Sequence, residues 1–150
     1  MMLSLVVWLG GIVFFAVMAP IVFHALPTRE LAGTVVNRTL PVLHWMGVAS
    51  GIVFLATSMS YVAMTTGSPQ ALAPQHILVL VMLALTLISM FVVSSRMMAL
   101  RTEMGPIDAV SKDDARRVEF NRLHQWSTKI ETSVLVMGLV VLYLTARQLK

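Results

Sequence analysis

Four stretches of this sequence are too long and too apolar to be left in water: about Leu3–Phe23, Leu40–Met64, Ile77–Ser95 and Ser127–Leu144. Each is near the ~20 residues that carry a helix across a hydrocarbon core. With 57% hydrophobic and 12% charged residues, a soluble fold of this length could not hide its apolar side chains, so the natural solvent is lipid. No stretch alternates as a membrane β-barrel strand does, and a lipid-spanning chain must satisfy its own backbone groups, so the spans are helices. The expected architecture is all-α: a polytopic membrane protein with four transmembrane helices in an up-and-down bundle. Helices two and four are expected to extend on the cytoplasmic side, and the whole chain to form one domain, 1–150.

The remaining composition excludes whole classes of chemistry. With Cys 0, there are no disulfides, thiolate metal sites or cysteine nucleophiles. The net charge of +4 sits beside the apolar spans, which marks membrane orientation rather than a nucleic-acid groove. Nine of the eleven Lys and Arg residues (Arg29, Arg38, Arg96, Arg101, Lys112, Arg116, Arg117, Arg122, Lys129) fall on one side, leaving Arg147 and Lys150 for the other. The positive-inside rule makes the nine-residue side cytoplasmic and both termini external. No Lys or Arg precedes the first apolar run, and that run is too long for a signal h-region, so it reads as a retained helix.

Local signals punctuate the spans. Gly10 and Gly11 permit close helix approach, Pro20 should kink span one, Pro27 should end it, and Thr28 suits an N-cap. Pro41 marks either the start of span two or a kink within one long helix. Gly47 and Gly51 form a small-residue face. The uncharged stretch 65–75 reads as a turn, with Pro74 opening span three. Thr86, Ser89, Ser94 and Ser95 are expected to bond back to their own helix. Residues 96–110 read as a loop broken at Gly105-Pro106. Ser111 and Asp114 resemble a capping box, which would start helix four near Lys112.

The candidate site lies in Arg116–Gly138, where a charged helix becomes a lipid-type helix without interruption. Asn121, His124, Thr128 and Glu131 are spaced three, four and three apart and so share one face. A carboxylate at the membrane level of Glu131 is costly unless it has a partner or water. His24 ends span one, His44 opens span two and His124 opens span four, so an up-and-down bundle brings all three imidazoles to one end; His76 is at the other. Such a group could hold haem on one or two imidazoles, with Arg38, Arg117 and Arg122 for the propionates. It could hold a metal ion such as copper on His24, His44 and His124 with Met97, Met98 or Met104, or relay protons from His124 to Glu131. The plainer alternatives are histidines that snorkel, methionines that fill gaps, arginines that meet lipid phosphate, and Glu131 tied to Lys129, Arg122 or Arg96. No metalloprotease, nucleophile-elbow, Walker or dinucleotide motif occurs.

The segments VVWLGGIVFFAVMAP, ELAGTVVNRTLPVLHWMG and EFNRLHQWSTKIE resemble a family of small bacterial membrane proteins of unknown function, similar to eukaryotic transmembrane protein 205. The resemblance runs through nearly the whole chain, on Trp8, Gly11, Pro20, Phe23, Ala32-Gly33, His124 and Ser127. It implies a four-helix membrane domain in a bacterial inner membrane and brings no settled activity. Three roles follow as expectations: a membrane-embedded site for haem, a metal ion or a small ligand; a non-catalytic subunit or assembly factor of a larger membrane complex; or a small transporter acting as a homo-oligomer.

Overall fold

The computed structural model describes residues 1–66 and 73–148. Residues 67–72, where the second turn was expected, and 149–150 lie outside the described residues. The helices are α1 (Met2–Ala25), α2 (Arg29–Thr66), α3 (Pro74–Ile88), α4 (Ser95–Met104) and α5 (Ala115–Gln148). A π-helical segment, Ser89–Ser94, joins α3 to α4, and a short 3₁₀ turn, Ile107–Ala109, precedes α5. No strand occurs among the described residues. Taking α3, the π segment and α4 as one rod, four helices are long and apolar enough to span a membrane.

Sequence punctuation works as expected at several ends. Thr28 caps α2, its Oγ1 accepting the Leu31 N–H at 3.2 Å. Pro74 occupies the first turn of α3, where its missing N–H costs nothing. Pro41 lies inside α2, so of the two alternatives it is a proline within one long helix and not the start of a separate span.

Two boundaries differ from expectation. The third rod does not end near Ser95 but continues to Met104. Its last ten residues, SRMMALRTEM, are mostly strong helix formers, and only Gly105, at φ 68°, stops them. The cap of α5 is Asp114 rather than Ser111. Asp114 Oδ1 accepts the Arg116 N–H at 2.8 Å, while Ser111 Oγ accepts only from Asp113 at 3.4 Å. The helix therefore starts at Ala115, three residues beyond Lys112. The Arg116 guanidinium and backbone N–H beside Asp114 hold its carboxyl below the usual range, at about 2.

The core sits on Trp8. Its indole lies over the Gly47–Gly51 face of α2: a Cβ at Gly47 would meet Trp8 Nε1 at 2.5 Å, and one at Gly51 would meet Trp8 Cζ3 at 2.9 Å. Leu9 fills the equivalent place on α5, where a Cβ at Gly138 would run into Leu9 Cδ2. Leu5, Phe54, Val79, Met82, Val134 and Val141 complete this centre. Gly11 packs beneath Met46, whereas Gly10 faces open space. Between helices in lipid the gain comes from such van der Waals contact, because removal from water contributes nothing there.

Helix α1 is used unevenly. Its buried residues are Ser4, Leu5, Trp8, Leu9 and Ile12, and none follows Ile12. Its second half is thus packed more loosely, with Phe15, Met18, Ala19 and Val22 only half-buried. At this same end the α1–α2 turn, the close of α4 and the start of α5 come together. Arg101 of α4 donates to the Glu30 carbonyl at 2.8 Å and to Thr34 Oγ1 at 3.0 Å, both on α2. At the opposite end Gln75 Nε2 of α3 donates to Gln148 Oε1 of α5 at 2.8 Å.

A cleft built on an acid–imidazole pair

The gap left by the second half of α1 is a cleft of about 610 Å³. One wall is α1, with Ile12, Phe15, Ala16, Ala19 and Phe23; α2 and α5 form the others. The α2 positions Arg29, Gly33, Val36, Leu40 and Leu43 recur every three or four residues, one face of a helix, with Asn37 beside Val36 on its edge. Asn121, His124, Thr128 and Glu131 of α5 all line the cleft. The prolines add polarity to its walls. Pro20 and Pro41 lack N–H groups, so the carbonyls of Ala16 and Asn37 lose their helical donors four residues on, and both residues line the cleft.

Glu131 meets His44 of α2. The His44 Nε2–H donates to Glu131 Oε1 at 2.9 Å. His44 is 1% exposed and Glu131 17%, so the pair forms the floor of the cleft with only the acid reaching it. Neither Arg96 nor Lys129 is the partner. Arg96 takes Glu119 side-on, at 2.9 and 3.2 Å, and Lys129 lies over the Trp126 ring. The remaining ring nitrogen, His44 Nδ1, is buried without a partner. With the proton on Nε2, the stranded atom is an acceptor.

The three expected imidazoles do not converge. His24 turns back on its own helix, its Nδ1–H donating to the Pro20 carbonyl at 2.9 Å, and it is exposed. His44 is committed to Glu131, and only His124 faces the cleft. Among the described residues no three His, Asp or Glu side chains are gathered as a metal site. The reason is rotational: the depths agree, but His24 lies on an exposed side of α1, beyond its last buried residue, Ile12. Of the methionines, Met97 lines the cleft, Met104 is buried away from it, and Met98 is exposed.

The arginines also differ from the expected set. Arg117 lines the cleft, but Arg38 and Arg122, each one position past a lining residue, do not. Arg29 and Arg101 take their place, and Arg101 lies against Gly33, where a Cβ would meet its Nη1 at 3.0 Å. No sequence signal pointed to Arg101, which reaches α2 from 67 residues away. Gly33 was the one hint, since a bare position on an amphipathic face invites a neighbour.

A second buried polar group escaped the sequence reading. At the other end, Ser58 Oγ lies 2.8 Å from His76 Nε2, with both residues 1% exposed. Gln75, beside His76 at the start of α3, and Thr145, near the end of α5, are equally buried, and the Thr145 hydroxyl has no partner. Ser89 and Ser94, expected to bond back, have unpartnered hydroxyls at the two ends of the π segment. Thr86 does bond back, to the Met82 carbonyl at 2.9 Å.

A family model described as a domain of unknown function, DUF4149, matches residues 3–106. The match covers α1 to α4, including His44, Arg29 and Arg101, and stops before α5 with Asn121, His124 and Glu131. No curated protein and no solved structure matches the chain. On a match that takes in more than half its length, the chain belongs to the DUF4149 family.

Proposed function

We propose that this protein is a small membrane-embedded binding protein that holds one small organic ligand in the cleft between α1, α2 and α5. The observation that carries the reading is the Glu131–His44 pair at the floor of a cavity of about 610 Å³ whose exposed lining is mostly apolar, with polar groups from α2, α4 and α5 converging on it. Packing alone does not call for an acid there, and a large apolar pocket with a few convergent polar groups is what small-molecule sites look like. A bare metal ion fits less well, because two of the three imidazoles are already engaged. We further propose that the basic end faces the cytoplasm of a bacterial cell, as the nine-to-two charge bias favours. The likeness to eukaryotic transmembrane protein 205 belongs to the same reading, on the segments quoted above.

The test is direct. The protein is purified in mild detergent, extracted with organic solvent, and the extract compared by mass spectrometry with those of Glu131→Leu and the cleft-filling Ala19→Trp. One organic compound near one per chain in the wild type, depleted in both variants, is the expected result. A Soret band or a stoichiometric metal in the wild type would replace this reading with a cofactor, and an extract unaltered by either variant would remove the site.

A further inference from the structure

We infer that the ligand of this cleft is an anionic membrane lipid, its phosphate held by Arg29, Arg101 and Arg117; this rests on the cleft being a ligand site. The first support is how the arginines are partnered. Outside the cleft, Arg96 and Arg116 each meet a carboxylate, at 2.9 and 2.8 Å, while among the described residues Arg38, Arg122 and Arg147 do not, so it is the gathering of three such cations in one cleft that counts. Among the described residues, no carboxylate lies within salt-bridge distance of Arg29, Arg101 or Arg117. Arg101 instead donates to the Glu30 carbonyl and Thr34 Oγ1, and Arg117 to the Val110 carbonyl. These neutral oxygens orient the guanidinium groups without cancelling their charge. Three cations from three helices, two of them oriented by neutral oxygens and none within salt-bridge distance of a carboxylate among the described residues, suit a phosphate.

The second support is the order of chemistry along the cleft. On α5 the lining residues run from Arg117 through Asn121, His124 and Glu131 to Leu135. At about 1.5 Å per residue, Arg117 to Leu135 spans ~27 Å, with the Glu131 carboxylate about 21 Å in, paired to His44. Asn121 and His124 lie ~6 and ~10 Å beyond Arg117, where side-chain donors would meet ester carbonyls below a phosphate. Opposite them, Ile12, Phe15, Ala19 and Phe23 of α1 form an apolar wall for a chain. A compact polar solute would leave this wall unused, and a neutral amphiphile would leave the three cations unanswered.

The experiment places the full-length protein in nanodiscs of phosphatidylcholine mixed with phosphatidylglycerol and counts retained lipid by native mass spectrometry. Wild type should retain phosphatidylglycerol about tenfold or more over phosphatidylcholine, as expected for several close cations. The double variant R29Q/R117Q should lose that preference, while Arg96→Gln, whose arginine is already paired outside the cleft, should keep it. Ala19→Trp should lose retained lipid of both kinds. Equal retention of the two lipids by wild type would overturn the anionic assignment and leave a ligand cleft standing. Undiminished retention by Ala19→Trp would put the lipid on the outer surface and remove the cleft reading as well. Displacement of the lipid by millimolar inorganic phosphate would assign the arginines to a free anion instead. Arg101→Gln is kept separate, because its guanidinium also joins α4 to α2.

Discussion

His44 on α2 and Glu131 on α5 are 87 residues apart in the chain and 2.9 Å apart in the bundle. The contact gives an acid at membrane depth a donor, and it aims the acid into a cavity. A buried pair of this kind is costly to break one-sidedly, because the group left behind has no replacement partner. His44→Ala should therefore lower stability by about 1–3 kcal/mol, read as thermal unfolding in detergent. Glu131→Gln keeps an acceptor for Nε2–H and should cost much less. If the two variants are equally stable, the hydrogen bond is not what holds α2 to α5 here.

The indole of Trp8 leaves no room at Gly47. Gly47→Val should separate α1 from α2 and destabilise the fold by about 1–3 kcal/mol, as overpacking does. Gly10→Val, at an equivalent spacing on α1 but facing open space, should be close to neutral. Thermal unfolding of the two variants side by side checks the assignment; since Gly→Val raises helix propensity at either site, a similar loss in both would mean that the Trp8 contact is not what sets the cost at Gly47.

Asp114 sets a pH dependence with a definite sign. Its carboxyl is held at about 2 when folded, below the ordinary aspartate value of about 3.9. The cap is therefore fully present above about pH 4 and is lost as pH falls toward about 2. The Arg116 amide, which donates to it, should shift in an NMR titration across that window. In Asp114→Asn the titration should vanish while the first turn of α5 stays formed, whereas Asp114→Ala should fray it at neutral pH.

Ser58 is the partner of a wholly buried imidazole. Ser58→Ala strands His76 Nε2 and should cost about 1–3 kcal/mol, measured by thermal unfolding. Ser60→Ala, where the hydroxyl merely bonds back to the Ala56 carbonyl, should have little effect.

The chain alone determined the solvent, the class and the number of spans, because lipid demands long apolar helices and these are written contiguously. It also determined which α5 residues share a face, since Asn121, His124, Thr128 and Glu131 repeat at the helical period. Capping by Thr28 and the start at Pro74 were legible for the same local reason. Tertiary structure decided everything that depends on rotation between helices. His24, His44 and His124 stand at one end, as the topology requires, yet only the packing of α1 around Trp8 turns His24 outward and opens the cleft. The pairing of His44 with Glu131 and the arrival of Arg101 at Gly33 join positions far apart in sequence. Periodicity tells which residues lie on a face; which face looks at which neighbour is settled by how glycines and large side chains fit together.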